Sequence, residues 1–471
     1  MRGEIFRLVQ SVLDGIDIFF VIYMIGYSSF LFLAVVIGSS ELYKKRQQEK
    51  LKNTLLQDYY IPISIIVPAY NEEVTVVETV RSLLALEYTL YEIIVVDDGS
   101  TDTTSQKLIE AFHMHPIRRP IHRKISCLPE EFVYETAAQK VSLTLIRKKN
   151  GGKADSLNMG INACRYPYFI CMDADSVLQH DSLSKIVRPI IECKNVVAVG
   201  GVIRPGNSVE LEWGHVVKYR LPRNILACMQ VLEYDRSFLA SRILFDKFNG
   251  SLIISGAFGL FKKDVVIAAG GYDRSTMGED MELVVKLHEY CVANDMPYTI
   301  KYATDAICWS QAPERLRDLC KQRRRWHLGL FQSLWKHKVL LANPRFGAVS
   351  FISYFYFLLY ELLSPFIEIL GIASMMAAFS LDLIDVPFTA LFFLIYAVFG
   401  CALTLTAFFA RIQTIDLKIS FMDALKAVVL CFFEICVLRL IMAFVRATAF
   451  IGYKKKKLDW GHIERKKINI Q

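Results

Sequence analysis

The sequence predicts an α/β domain with a doubly wound, mainly parallel sheet, set between segments that cross a membrane. Three observations predict it. Short apolar stretches alternate with amphipathic ones through the middle of the chain. Long stretches with little or no charge lie on both sides. Acidic motifs follow the apolar stretches, where a parallel sheet collects its ligands.

The first element is a membrane helix. Residues 18–40 hold no charge and are long enough to cross a hydrocarbon core of roughly 30 Å. Lys44, Lys45 and Arg46 follow, which places the C-terminal side in the cytosol. Residues 1–57 are therefore read as a membrane helix with a basic cytosolic linker. Residues 58–345 are the α/β domain, with its clearest strands at 63–67, 92–96, 142–146 and 168–172. The stretch 113–139, with Pro116, Pro120 and Pro129, reads as an insertion or mobile loop. Residues 346–471 hold three apolar runs, 349–380, 388–410 and 422–451, and a basic tail. Basic residues on both flanks of this region call for an even number of crossings. The third run carries Asp423, Lys426, Glu434, Arg439 and Arg446, so it is expected at the interface or as a re-entrant segment.

Composition fits this division. The chain is 53% hydrophobic yet 22% charged, too apolar for a wholly soluble protein and too charged for one buried in lipid throughout. The net charge of +8 gathers in runs at 44–46, 323–325 and 454–457. A nucleic-acid partner would require a broad basic face. Short runs beside apolar segments fit lipid headgroups instead, so membrane lipids are expected as partners and nucleic acid is not. The eleven cysteines form no CxxC pair, and Cys401, Cys431 and Cys436 lie in apolar runs. They read as reduced, mostly buried thiols, with no zinc-ligand spacing.

Six motifs carry chemistry. Val67-Pro68-Ala69-Tyr70-Asn71-Glu72 and Val96-Asp97-Asp98-Gly99-Ser100 end successive strands. Carboxylates there can accept hydrogen bonds from a base and ribose, though Asp-Gly-Ser is also ordinary turn chemistry. In Asn150-Gly151-Gly152-Lys153 the glycines admit a close ligand and the lysine offers charge to a diphosphate. A solvated lysine at a helix start is the plainer reading. Asp173 and Asp175, one residue apart at a strand end, suit Mg²⁺ or Mn²⁺ held against phosphate oxygens. An acidic turn is the alternative. Gly278-Glu279-Asp280 opens a helix, where capping acids are common. Gln322-Arg323-Arg324-Arg325-Trp326 lies in a basic amphipathic helix that a membrane surface alone would also favour.

Together, over residues 61–332, these motifs resemble the processive family-2 glycosyltransferases, the group that includes cellulose, hyaluronan, chitin and poly-N-acetylglucosamine synthases. DDG, DxD, ED and QxxRW stand in the family's order. The resemblance implies a GT-A fold in the plasma membrane with its catalytic domain in the cytosol. It implies inverting, metal-dependent, processive transfer from a UDP-sugar to a β-linked polysaccharide, coupled to its passage across the membrane. On this resemblance Tyr70, Glu72, Asp97 and Asp98 surround the uridine and Lys153 holds the diphosphate. Asp173 and Asp175 hold the metal, Asp173 also touching the nucleotide, and Asp280 is the general base. Gln322, Arg325 and Trp326 line the donor site. Ser255, Gly256, Ala257, Glu279 and Trp326 meet the acceptor.

The small Ser255-Gly256-Ala257 segment looks like the poly-N-acetylglucosamine type, whereas Phe258 and residues 327–331 do not. The expected donor is UDP-glucose, giving a β-glucan that can include mixed linkages. UDP-N-acetylglucosamine, giving poly-N-acetylglucosamine, is the alternative. A non-processive transferase would not need QxxRW, and a transporter or receptor with a degenerate nucleotide-binding module would not need the full set of acids.

Overall fold

The structure is a computed structural model that describes residues 2–52, 60–136, 141–212, 214–414 and 418–452. The basic run 454–457 and residues 53–59 lie outside the described residues. Twelve strands are present among them: β1 (Ile63–Ala69), β2 (Tyr91–Asp97), β3 (His115–Ile117), β4 (Glu130–Glu135), β5 (Ser142–Lys148), β6 (Tyr168–Cys171), β7 (Val177–Leu178), β8 (Val196–Pro205), β9 (Val209–Glu212), β10 (His215–Tyr219), β11 (Gly259–Lys262) and β12 (Thr299–Ser310).

Ten of these form one sheet in the order β3-β4-β5-β2-β1-β6-β11-β8-β12-β7, and β9 and β10 form a separate hairpin. Strands β4, β7 and β11 run against the rest, so the sheet is mixed but mainly parallel. Side chains of a strand alternate between faces, and both faces here are covered. Ile63, Ile65 and Val67 of β1 join Ile93 and Val95 of β2 in one core. Ile66, Ile94 and Val96 turn to the other, against Leu157 and Leu283 of two covering helices. This is why these strands read as continuous apolar runs. The sheet brings the ends of β1, β2 and β6 side by side, because β1 pairs in parallel with both neighbours.

The stretch 113–139 is not simply a loop. Its residues 115–117 and 130–135 form β3 and β4, which extend the sheet by antiparallel pairing onto β5. Ile125 between them is buried, and the Leu128 N–H donates to both oxygens of Asp155, at 3.2 and 3.1 Å.

Among the described residues three helices are long and apolar enough to cross a membrane: Gln10–Gln47, Val386–Gln413 and Phe421–Phe450. The third run, expected at the interface or as a re-entrant segment, is by length and composition also able to span. Its charges are matched from within the protein. Glu434 accepts two bonds from Arg236 at 2.8 and 2.9 Å, Arg439 pairs with Glu368 at 2.9 Å, and Lys426 donates to the Pro222 carbonyl at 2.5 Å. The bend falls elsewhere, at 47° between Val349–Leu362 and Ser364–Ser380, where Pro365 cannot supply the helical N–H. Two C-terminal helices are long and apolar enough to span, and the bent pair would make three if it spans.

Candidate active site

A cavity of about 1540 Å³ opens over the C-terminal ends of β1, β2 and β6 and continues between the membrane helices. Its upper wall holds Tyr70, Glu72, Asp98, Lys153, Asp173 and Asp175. Opposite stand Ser255, Gly256, Ala257, Glu279 and Asp280, with Gln322, Arg325 and Trp326. The fold thus brings together nearly all the residues that the motifs single out, from seven separate segments of chain.

Asp97 is the exception and stands behind the wall. Its Oδ1 accepts from the Ser100 N–H at 2.8 Å, and its Oδ2 accepts from the Ser105 hydroxyl. Both oxygens hold the loop rather than face the cavity. Asp98 is also committed in part. It accepts from the N–H groups of Gly151 and Gly152 at 3.0 and 2.7 Å and from Lys148 Nζ. Lys148 is fully buried and pairs with Asp155 as well, at 3.0 Å. Sequence reasoning missed Lys148. The available signal was a lysine at an inward position of β5 beside two aspartates, and Asp98 is the counter-charge that makes such burial tolerable.

Lys153 opens the helix Lys153–Ala163. Its Nζ lies 2.5 Å from Asp173 Oδ1 and 3.4 Å from Glu279 Oε1. Burial works against its charge, but Asp173 and Glu279 outweigh burial and hold the ammonium above the usual lysine range. Burial pushes the Glu279 carboxyl up to about 7; Lys153 pulls the other way and Asp280 adds to the rise. Asp173 is the nearer partner of Lys153, which leaves Glu279 the less compensated acid.

Glu279 and Asp280 begin the helix Glu279–Ala293. Asp280 is half-buried and held by two backbone donors, Gly256 N–H to Oδ2 at 3.0 Å and its neighbour Met281 N–H to Oδ1 at 2.8 Å. The helix Leu316–Lys336 crosses this one at its start. The crossing is glycine on glycine, since a Cβ on Gly329 would sit 2.7 Å from the Gly278 nitrogen. That close approach carries Trp326 into the cavity wall. The indole stays 41% exposed, while the Arg323 guanidinium covers its ring at 4.8 Å and is itself fixed by two 2.7 Å bonds to Glu233. Gln322 Oε1 is buried with no hydrogen-bond partner among the described residues.

Asp173, Asp175, Glu279 and Asp280 face Lys153 and Arg325 across this end of the cavity. A surplus of hard carboxylate oxygens fits a Mg²⁺ or Mn²⁺ ion, and the ammonium beside Asp173 marks where positive charge is favoured.

The geometry defines a GT-A-like sheet domain whose acid-lined cavity continues among long apolar helices. Residues 168–410 match the model of glycosyl transferase family group 2, and residues 64–126 match that of glycosyl transferase family 2. The chain belongs to glycosyltransferase family 2. It is 30% identical over 331 residues to a poly-beta-1,6-N-acetyl-D-glucosamine synthase of Staphylococcus epidermidis, covering 68% of this chain and 66% of that one. A synthase of the same name from Staphylococcus aureus (strain COL) is 29% identical over 329 residues, with the same coverage. The chain thus spans 66% of the length of these relatives. Among solved structures, the mannosyltransferase PcManGT from Pyrobaculum calidifontis, in complex with GDP-Man and Mn²⁺, shares the fold. Its TM-score is 0.50 at 18% identity, over 82% of this chain and 98% of that one. The relatives' names favour the N-acetylglucosamine alternative over the glucan expected from Phe258 and residues 327–331.

Proposed function

We propose that this chain transfers N-acetylglucosamine from UDP-N-acetylglucosamine to the growing end of a β-linked polysaccharide and passes the product into the membrane. The observation that carries this reading is one continuous cavity. It holds the acids at the strand ends and also Tyr27, Tyr356, Tyr360, Glu368 and Glu434 among the membrane helices. The donor sugar rests on what the relatives are named for.

The uridine lies against Tyr70, Glu72 and Asp98, and Lys153 faces the diphosphate. Asp280 accepts the proton of the acceptor hydroxyl as that oxygen attacks the anomeric carbon. The bond from this carbon to UDP breaks, and its electron pair leaves with UDP. Attack from the opposite face turns an α-linked donor into a β-linked product. Asp280 suits this task better than Glu279, because Glu279 is buried while Asp280 is reachable and oriented by two N–H donors. Asp173 and Asp175 would hold a Mg²⁺ or Mn²⁺ ion, which when bound would supply charge against the leaving diphosphate. Trp326 offers a sugar ring an apolar face, and Gln322 Oε1 offers a hydroxyl an acceptor otherwise left buried and unpaired. Lys44, Lys45 and Arg46, at the end of the first span, favour a cytosolic position for residues 58–345 in the plasma membrane.

Membranes containing the chain are incubated with UDP-N-acetylglucosamine or UDP-glucose, and UDP release and product linkages are measured. Incorporation of N-acetylglucosamine into a β-linked polymer is expected. Incorporation of glucose with none of N-acetylglucosamine overturns the donor, and no UDP release from either overturns the activity.

A further inference from the structure

Away from the cavity, three residues distant in sequence meet at the surface. Glu87 follows the helix Val76–Leu84, His180 follows β7, and His215 opens β10. One ligand atom from each lies within 4.8 Å of the other two. The two imidazoles stack with centroids 3.7 Å apart and planes 18° from parallel. His215 Nε2 lies 3.7 Å from Glu87 Oε1, near enough for charge to matter but too far for a hydrogen bond.

Backbone contacts hold the three segments together. The Glu87 N–H donates to the His180 carbonyl, and the His180 N–H donates to the Gly214 carbonyl, each at 3.1 Å. Gly214 has φ +83°, and a Cβ there would sit 2.8 Å from the His180 nitrogen. Glycine is what lets the hairpin come this close. His180 Nδ1 is buried with no hydrogen-bond partner among the described residues, a costly state for a ring nitrogen. A cluster of mutually hydrogen-bonded surface side chains would explain the grouping without a ligand, but no hydrogen bond joins these three side chains to one another among the described residues.

We infer that Glu87, His180 and His215 form a site for a divalent transition-metal ion of the zinc class. Two imidazoles and one carboxylate are a fitting set for such an ion, with a fourth position left to water. Ligand distances of about 2.0–2.2 Å require the donor atoms to draw closer than they stand. The side chains of Glu87 and His215 are 63% and 53% exposed and have room to swing, while His180 is the fixed member. The absence of CxxC spacing does not bear on this site, because the ligands come from three separate segments. None of the three lines the cavity, so the site is separate from Asp173 and Asp175. The bound ion ties the β9–β10 hairpin to the sheet domain. Residues flanking that hairpin, Asn207, Arg220 and Arg223, do line the cavity, so the ion also steadies that part of its wall.

The test uses the purified full-length chain in detergent, stripped with chelator and then held in excess Mg²⁺ to fill hard-oxygen sites. Zn²⁺ is titrated by calorimetry, and Co²⁺ serves as an absorbing probe. Saturable Zn²⁺ binding is expected, with visible Co²⁺ bands and no near-ultraviolet thiolate band. His215→Ala, at an exposed position, is expected to weaken Zn²⁺ binding by more than the roughly 10–100-fold that loss of an outer hydrogen-bond partner costs. Glu87→Gln should weaken it as well, with thermal unfolding of both metal-free variants like that of the parent. Unchanged Zn²⁺ affinity in His215→Ala, a thiolate band, or no saturable binding overturns the proposal.

Discussion

The two ends of the cavity treat charge differently. At the donor end, Asp173 and Asp175 after β6 and Glu279 and Asp280 at a helix start outnumber the two cations that they face, Lys153 and Arg325. Between the apolar helices three arginines each pair with an acid: Arg236 with Glu434 at 2.8 Å, Arg439 with Glu368 at 2.9 Å and Arg446 with Glu361 at 3.5 Å. The first arrangement leaves negative charge to be neutralised by whatever binds. The second is close to balanced, with Arg242 held by the Ile253 carbonyl rather than by a carboxylate, while its polar atoms still face the cavity. On the proposed function this is a division of labour. Charged donor and cation enter at one end, and a neutral, hydroxyl-rich chain leaves through the other.

The comparison is broken most severely by removing the cation. Chelation with EDTA is expected to abolish UDP release from the donor, and Mg²⁺ or Mn²⁺ to restore it. Full turnover in EDTA would mean that Lys153 and Arg325 balance the donor-end acids unaided.

The membrane end is broken by removing one partner. Arg236→Met leaves Glu434 buried and uncompensated, an expected loss of about 3–5 kcal/mol, read from thermal unfolding in detergent. Arg236→Met combined with Glu434→Leu should recover most of it. If the single and double variants unfold alike, the pair is not what stabilises this end.

A smaller effect is expected where the two ends meet. Trp326→Ala removes a stacking face worth about 0.5–1.5 kcal/mol, so polymer formation should fall by about 2–10-fold while UDP affinity stays unchanged. Equal loss of both would assign Trp326 to the packing around Arg323 and Tyr234 rather than to the sugar.

A pH-dependent effect concerns Glu279. Its folded-state carboxyl titrates near 7, above its ordinary value of 4.5, so between these values the folded chain holds a proton that the unfolded chain has lost. Stability is then greatest below about 4.5 and falls as pH rises towards 7. Glu279→Gln removes this contribution. The melting-temperature difference, variant minus parent, should grow from pH 4.5 to 7 and level off above; a difference that does not change with pH would contradict the assignment.

The sheet and most of the site were legible in the sequence because both rest on local patterns. Alternating apolar strands announce a covered sheet, and acids placed just after β1, β2 and β6 must lie together once those strands pair. Asp97 lies off the cavity for a physical reason. Adjacent aspartates look alike in sequence, but consecutive side chains at a strand end point to opposite sides, so Asp98 reaches the cavity wall and Asp97 turns to Ser100 and Ser105. The 422–451 run was harder to read for another reason. Charge argues against a span only when it stays unpaired, and the partners Arg236, Glu361 and Glu368 come from other segments. The segment 113–139 hid two short strands because its prolines mark sheet edges as readily as loops. The Glu87, His180 and His215 group had no local pattern to reveal it.

The account rests most heavily on Asp280 as the group that takes the acceptor's proton. The direct measurement pairs turnover of UDP-N-acetylglucosamine with UDP affinity in Asp280→Asn. Asn keeps the shape and an acceptor for the Gly256 N–H but cannot take a proton at neutral pH. The account predicts turnover lower by about 10²–10⁴-fold with UDP affinity nearly unchanged. Near-normal turnover, or loss of UDP binding in parallel with turnover, would contradict it.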